Sequence, residues 1–272
     1  MMAGLLYIVS TPIGNLEDIT LRALKVLGDV DVIAAEDTRH SRKLLSHYNI
    51  SKELVSYWSG REKARSEKIL DLLDRGKDVA LISDAGTPGI SDPGEILIRS
   101  AIERRIEVIP VPGPSALISA LTISGIPTAS FVFAGFAPPK KQERKRFYES
   151  LASERRTIIL YESPHRLVES LEDLAGSMPS RDIALCHELT KMNESVFRGK
   201  AEDVLMDVRS SKIAGEYVIV MKGAEKKEIS FDEALDEIRE LMRTGKGRKE
   251  AVGMVAKDYG ISKKKLYDMS LE

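Results

Sequence analysis

What the sequence lacks narrows the class of protein. Cys186 is the single cysteine among 272 residues, which excludes an internal disulfide framework and fits a reducing compartment. No apolar run reaches the length of a transmembrane helix. The amino end soon reaches Ser10, Pro12 and Asn15, so it is interpreted as a first strand and not as a signal peptide. We therefore expect a cytoplasmic protein without a membrane segment.

Several familiar catalytic and nucleotide-binding motifs are also missing. No G-x-G-x-x-G follows the first predicted strand, and the Gly-Lys pairs lack the remainder of a Walker loop. There is no G-x-S-x-G of a serine hydrolase. The four histidines show no H-E-x-x-H spacing, and a single cysteine disfavours a zinc site, so we expect no metal. The net charge of −1 by itself favours no particular partner.

What is present is an alternation of short apolar runs and helical patterns. Hydrophobic residues make up 43% of the chain, enough for a sizeable core. In the first part, a polar or glycine-rich loop follows one strand after another, which predicts a largely parallel sheet covered by helices. A helix is predicted from Thr20, as its cap, to Leu27, with Gly28 ending it. The predicted strands of this part are 5–9, 30–35, 79–82 and 106–110.

A break at Gly125–Thr128 starts a second set of strands. We predict two consecutive α/β domains, residues 1–115 and 116–224. From about residue 225 the pattern changes, and a capping box at Ser230 and Glu233 opens the first of three short helices. Residues 225–272 are therefore predicted to form a small helical module. The predicted strands of the second set are 131–136, 157–161, 183–187 and 215–221.

Residues 83–94, S-D-A-G-T-P-G-I-S-D-P-G, form the loop around which a site is predicted. Its glycines let a ligand lie against main-chain amides, although such a loop taken alone is as well explained as an ordinary turn. A lone Glu36 or Glu188 is likewise more often a helix cap or a solvated carboxylate. Loops at the strand ends of α/β sheets share one edge, so six together predict a site between the two domains. The other five are 10–15, 36–39, 111–115, 162–166 and 188–191.

Basic residues are concentrated in two stretches. Residues 140–156 contain seven Lys/Arg against three Asp/Glu, and residues 243–265 contain eight against two. For the first stretch a solvated helix face is an equally good interpretation, whereas the second favours contact with phosphates. The residues predicted to make such contacts are Lys140, Lys141, Arg144, Lys145, Arg248, Lys249, Lys263, Lys264 and Lys265.

Six ordered segments carry a resemblance to a known family. They are Y-I-V-S-T-P-I-G-N-L-E-D-I-T-L-R-A-L, A-E-D-T-R-H-S-R-K-L-L, S-D-A-G-T-P-G-I-S-D-P-G, V-P-G-P-S-A, Y-E-S-P-H-R and H-E-L-T-K. Together they resemble the tetrapyrrole-methylase (class III) family of S-adenosylmethionine-dependent methyltransferases, in particular its members that methylate ribosomal RNA. The resemblance covers nearly the whole chain, tail included. Residues 57–62 depart from it, and they are given no role.

The resemblance implies a cofactor, a partner and a reaction. S-Adenosylmethionine would lie in the cleft between two α/β domains of a homodimer. A methyl group would pass to the ribose 2′-hydroxyl of a cytidine in the decoding region of 16S rRNA, so 16S rRNA or the small ribosomal subunit would be the partner, with RNA contacts from the basic stretches. A sulfonium cofactor needs no phosphate cradle, which agrees with the missing phosphate-binding motifs.

The resemblance also implies residues for the site. Glu36 or Glu162 would take the hydroxyl proton, and nearby cations would hold a phosphate or lower the pKa of the hydroxyl. These cations are Arg39, His165, Arg166 and Lys191. The implied cofactor contacts are Pro12, Ser83, Asp84, Ala85, Gly86, Ile90, Ser91, Ser115, Ala116, Tyr161, Leu189 and Ala214. Three alternatives stay open: a small-molecule tetrapyrrole methylase, a protein-modifying relative, and a non-catalytic RNA-binding factor of ribosome assembly.

Overall fold

A computed structural model describes residues 3–225 and 230–271, apart from the side chains of Arg61 and Asp258. The chain forms two compact units: the residues up to Ala152 with Thr157–Lys222, and Ser153–Arg156 with the residues from Gly223 onward. Both sheets lie in the first unit, and the domain boundary near residue 115 stays a prediction. Residues 226–229 of the predicted helical module lie outside the described residues.

The first sheet has five parallel strands in the order β3-β2-β4-β1-β5, as the alternating pattern predicts. Every residue of β2 and β4 is buried, because helices cover both faces. The strands are β1 (Leu6–Val9), β2 (Val32–Ala35), β3 (Glu53–Ser56), β4 (Val79–Ile82) and β5 (Val108–Val111). The helices of this part are α1 (Leu21–Asp29), α2 (Thr38–His47), α3 (Glu62–Asp74) and α4 (Glu95–Glu103).

Helix α1 begins as predicted but does not end as predicted. The Thr20 side chain accepts a hydrogen bond from the Ala23 N–H, which caps the start. Gly28 does not end the helix, which continues to Asp29, where the Val30 N–H bonds to the Val26 carbonyl. A Cβ at Gly28 would meet nothing within 4 Å. This glycine is therefore an ordinary helical residue, and its prediction as a terminator is wrong.

The second sheet is mixed, with strand order β6-β7-β10-β8-β9. Strand β10 runs antiparallel to β7 and β8, which it separates, so Tyr217 at its start pairs with both Glu162 and His187. The ends of β7 and β8 and the start of β10 thus share one edge. The strands are β6 (Phe131–Phe136), β7 (Thr157–Glu162), β8 (Asp182–His187), β9 (Ser195–Lys200) and β10 (Tyr217–Met221). The helices are α5 (Ala116–Ile123), α6 (Lys141–Leu151), α7 (Leu167–Ser177) and α8 (Ala201–Arg209).

The described residues of the second compact unit form three helices, as predicted. They are α9 (Phe231–Arg243), α10 (Arg248–Tyr259) and α11 (Lys263–Met269). The predicted capping box of Ser230 and Glu233 is present, and Gly260 ends α10 in the left-handed conformation at φ 60°. Ile238, Val252 and other residues of the three helices form a core of their own. Within the described part of the chain, no helix is long and apolar enough to cross a bilayer.

Candidate functional site

A cavity of about 410 Å³ opens where strands of both sheets end. Its walls come from the loops after β1, β2, β4, β5 and β7, from the end of β6 and from the start of β10. Such an edge is where α/β sheets usually bind ligands. The structure thus brings together ten residues predicted from the sequence: Glu36, Asp84, Ala85, Gly86, Ile90, Ser91, Ser115, Ala116, Tyr161 and Glu162.

The loop 83–94 has a backbone that requires glycine. Gly86 and Gly89 each have φ of +82°, where side chains with a Cβ are disfavoured. A Cβ at Gly94 would lie 3.0 Å from the Gly89 nitrogen. The loop is joined to the loop after β1 by paired main-chain hydrogen bonds between Thr11 and Gly86, at 2.8 and 3.0 Å. Glycine therefore fixes this wall, as the sequence suggested, through conformation and close approach.

Glu62 holds the far end of this loop, a contact that was not predicted from the sequence. Its Oε1 accepts hydrogen bonds from the Gly94 N–H at 2.8 Å and from the Tyr57 hydroxyl at 3.1 Å. Tyr57 is fully buried, and burial raises the pKa of its hydroxyl to about 12. Residues 57–62, which had no predicted role, thus anchor the cavity loop. Glu62 and Gly94 are 32 positions apart in the chain, so no local sequence pattern reveals this contact.

Carboxyl groups dominate the polar lining of the cavity. Glu36, Asp84, Asp92, Glu162 and Glu216 line it, and no Lys, Arg or His of the described chain does. Burial, followed by the negative charge of Glu36, raises the pKa of Asp92 to about 6. Burial and the charge of Asp84 also raise the pKa of Glu36. A cavity of this kind favours a cationic ligand, because a positive charge relieves the repulsion among the carboxylates.

Asp92 and Glu216 are lining residues that were not singled out individually from the sequence. Asp92 lies in the S-D-P-G end of the loop 83–94, so it could have been predicted as a site residue from its position in that loop. Glu216 precedes β10, and only the antiparallel insertion of that strand brings it to the cavity. The other lining residues without a predicted site role are Ile13, Thr87, Phe136, Ser163, Pro164, Tyr217 and Val218.

Glu162 presents one fixed and one free carboxylate oxygen. Its side chain is 1% exposed. Oε1 accepts a hydrogen bond from the Ser163 N–H at 2.8 Å and lies 3.3 Å from Nη2 of Arg166. Oε2 is buried and has no hydrogen-bond partner among the described residues, which is rare for a buried polar atom. Glu162 lines the cavity, so a buried carboxylate oxygen without a hydrogen-bond partner lies in its wall.

The predicted cations lie around the cavity but do not line it. Lys191 donates hydrogen bonds to Glu188 Oε1 at 2.7 Å and to Glu216 Oε2 at 3.0 Å, so it reaches the cavity through Glu216. Arg39 is 88% exposed and paired with Asp37 at 3.0 Å. Of the predicted site residues, those outside the lining are Pro12, Arg39, Ser83, His165, Arg166, Leu189, Lys191 and Ala214.

Arg144 does not belong to the predicted phosphate-contacting surface. Its side chain is 1% exposed, and Nε lies 2.8 Å from Oδ2 of Asp173. A second nitrogen, Nη2, lies 3.2 Å from Glu169. The prediction for Arg144 is wrong because this residue and Tyr148, four positions later, face the interior from α6. Lys140, Lys141 and Lys145 on the same segment are exposed, as are Lys249 and Lys263–Lys265.

Comparison with known proteins gives consistent results. The family model described as Tetrapyrrole (Corrin/Porphyrin) Methylases matches residues 5–205. A Synechocystis protein named Ribosomal RNA small subunit methyltransferase I is 44% identical over 273 residues, covering 99% of this chain and 98% of that protein. A Thermotoga maritima protein of the same name is 47% identical over 222 residues, covering 82% of this chain and 100% of that protein.

A solved structure shares the fold. It is the uroporphyrin-III C-methyltransferase of Thermus thermophilus complexed with S-adenyl homocysteine. Its TM-score is 0.56 at 17% sequence identity, with 80% of this chain and 97% of that chain covered. At this identity the likeness concerns the fold alone.

Proposed function

Because the chain belongs to the tetrapyrrole (corrin/porphyrin) methylase family, we propose that it is an S-adenosylmethionine-dependent methyltransferase of small-subunit ribosomal RNA. The acidic cavity at the meeting edge of the two sheets carries the proposal. The name shared by the similar proteins supports the RNA substrate. The finer assignment, a cytidine 2′-hydroxyl in the decoding region of 16S rRNA, rests on the sequence resemblance, as do the homodimer and the cytoplasmic location.

The residues of the cavity fit this cofactor. S-Adenosylmethionine carries a positive sulfonium and an ammonium group, and Glu36, Asp84 and Asp92 offer compensating negative charge. Ala85 and Gly86 line the cavity beside these carboxylates, and the Gly86 N–H is held by its hydrogen bond to the Thr11 carbonyl. When bound, the cofactor supplies an electrophilic methyl group, and holding the two reactants in line supplies much of the rate.

Glu162 is the general base in this proposal, in preference to Glu36. The ribose hydroxyl is a poor nucleophile until its proton is accepted. Oε2 of Glu162 is free and buried, while the Ser163 N–H and Arg166 hold Oε1 in place. Glu36 lies among the carboxylates assigned to the cationic cofactor. Arg39 and His165, which are exposed, then contact the RNA backbone near the cavity.

The proposal is tested with methyl-labelled cofactor and either 16S rRNA or assembled small subunits. After digestion to nucleosides, the label is expected in 2′-O-methylcytidine. Label on a base would refute the ribose assignment, and absence of label from RNA would refute the substrate. Heat of binding with S-adenosylmethionine but no transfer to RNA would instead favour a different substrate, and no heat would favour a non-catalytic RNA-binding factor.

The role of Glu162 as the general base is tested with Glu162→Gln. We expect single-turnover methyl transfer to fall by about 10²-fold or more, with the dissociation constant of the cofactor nearly unchanged. Glu149→Gln, on the exposed face of α6, is the matched control and should transfer methyl groups like the wild type. A larger loss in Glu36→Gln than in Glu162→Gln would move the role of base to Glu36.

A further inference from the structure

At one side of the cavity, Phe136 packs against Tyr161, which packs against Phe133. This group of rings, here called the aromatic corner, has no part in the proposed methyl transfer. Strand β6 ends at Phe136, and its register with β7 shifts between Phe133 and Phe136. Gly135, inside this irregularity, has φ of +66°. Phe136 lines the cavity and is 48% exposed. Ile90, 42% exposed, lines the same cavity, so apolar surface is left there that a bound ligand can cover.

The Phe136 ring is part of an ordered aromatic row. Its centroid lies 5.7 Å from that of Tyr161, at an interplanar angle of 65°. Tyr161 in turn meets Phe133 at 4.9 Å and 64°. Both are edge-to-face contacts, which favour one orientation of each ring. Phe136 is thus held in place before any ligand arrives, and little side-chain freedom is lost when a flat group stacks on it.

Cations follow the aromatic corner directly in the chain. Two prolines separate Ala137 from Lys140 and Lys141, and both lysines are exposed. Lys140 is 78% exposed, and its ammonium group lies 3.0 Å from Glu143, which is 51% exposed. An aromatic ring beside exposed cations is how proteins bind single-stranded nucleic acids, since bases stack on the ring and phosphates meet the cations.

We propose that Phe136 is a stacking platform for a nucleobase of the RNA substrate, beside the reacting ribose. This inference rests on the proposed function. Phe136 contacts Tyr161, and the next residue is Glu162, which carries the free Oε2. In a nucleoside the base and the 2′-hydroxyl are on adjacent ribose carbons. Consecutive side chains of a strand alternate between its faces, but Phe136 and Glu162 both line the cavity. A base on Phe136 therefore places its ribose in the cavity that Glu162 borders, whereas the carboxylates Glu36 and Asp84 suit the cationic cofactor.

The test measures binding by the full-length chain without turnover. The probe is a fluorescein-labelled single-stranded fragment of the 16S decoding region, followed by anisotropy in the absence of cofactor. Phe136→Ala is expected to weaken RNA binding by about 5- to 30-fold, the scale of losing one stacked base. Phe136→Trp should stay within about threefold of wild type, since its ring can also stack. In steady state, Phe136→Ala should raise KM for RNA more than it lowers kcat.

Phe131→Ala is the matched control. Phe131 lies at the other end of β6, is 39% exposed and does not line the cavity, so its loss should leave RNA binding unchanged. Isothermal titration with S-adenosylmethionine should give equal affinity for every variant, which also shows that each is folded. Wild-type RNA affinity in Phe136→Ala would overturn the platform, and so would a loss of cofactor affinity alone, because the ring would then hold adenine. A wild-type protein that does not bind the fragment would overturn the RNA substrate itself.

Discussion

At the scale of single residues, Asp92 links the cavity to pH. Burial and the charges of Glu36 and Asp84 raise its pKa to about 6. Asp92 therefore holds a proton in mildly acidic solution and loses it near neutrality. A cationic ligand stabilises the deprotonated form and so lowers this pKa, and by linkage the ligand binds more tightly once the proton has left.

We predict that the affinity for S-adenosylmethionine increases from pH 5 to pH 7.5, with most of the change around pH 6. Titration calorimetry at pH 6 in two buffers of different ionisation enthalpy should detect proton release on binding. Asp92→Asn should lose most of this pH dependence, whereas Asp71→Asn, at an exposed position on α3, should keep it. Constant wild-type affinity over this range would contradict the assignment.

The same shift affects stability in the opposite direction. The unfolded chain has an ordinary Asp92 pKa of 3.8, and the native value is about 6. The native state therefore binds more protons between these values, and the contribution of Asp92 to stability declines as pH rises through them. At neutral pH the ligand-free cavity carries a destabilising charge. Functional sites often retain such a loss of stability because the same charge is needed to bind the ligand.

At the scale of elements, Glu62 connects α3 to the loop 83–94. We predict that Glu62→Ala weakens cofactor binding by about 5- to 30-fold, because the Gly94 N–H loses its acceptor and the loop loses its anchor. Glu62→Gln keeps an oxygen acceptor and should stay within about threefold of wild type. Titration calorimetry gives the affinities, and hydrogen exchange should show faster exchange at residues 86–94 in Glu62→Ala. Equal affinity and exchange in both variants would leave Glu62 without a positioning role.

The packing of α6 on α7 depends on a buried ion pair. Arg144→Met should lower the free energy of unfolding by about 3–5 kcal/mol, because Asp173, whose side chain is 5% exposed, is left as an unpaired buried charge. Urea denaturation measures the change. Arg146→Met, at an exposed position on the same helix, is the control, with an expected effect within about 0.5 kcal/mol. The double variant Arg144→Met with Asp173→Leu should recover much of the loss; if it does not, charge burial is not the cause.

At the scale of the whole molecule, a net charge of −1 conceals a separation of charge. The cavity is lined by carboxylates, while α10 and α11 display exposed lysines, among them Lys249 and Lys263–Lys265. The described residues of the second unit form their own apolar core, and none of them is among the residues that line the cavity. We therefore expect that changes in the second unit can weaken RNA binding without changing cofactor binding.

We predict that deleting residues 225–272 weakens RNA binding and leaves the affinity for S-adenosylmethionine unchanged. Replacing Lys263, Lys264 and Lys265 by alanine in the full-length chain should have a smaller effect in the same direction. Each lost phosphate contact should reduce the slope of log affinity against log salt by about 0.7 to 0.9. Anisotropy titrations at several salt concentrations measure this. Equal RNA affinity in the deletion variant would show that the lysines form a solvated face.

The strands that sequence patterns missed share one property. Strands β3 (E-L-V-S) and β9 (S-V-F-R-G-K) are both edge strands, at one end of each sheet. Edge strands are partly exposed and need no continuous apolar run. The edge strands β5 and β6 nevertheless have one and were predicted, whereas β3 and β9 contain charged residues and were missed. The central strands β2, β4 and β10 are buried throughout, and their apolar runs predicted them.

Local chemistry alone determined much of this protein. Some features act only on near neighbours in the chain, so the sequence alone was enough to predict them. They are the apolar runs, the glycines of the loop 83–94 and the cap at Ser230. Only the tertiary structure decided which carboxylates share a cavity, that Glu62 bonds to Gly94, that Oε2 of Glu162 is left free, and that Arg144 is buried. These features depend on contacts between residues far apart in sequence, and on the insertion of β10 between β7 and β8.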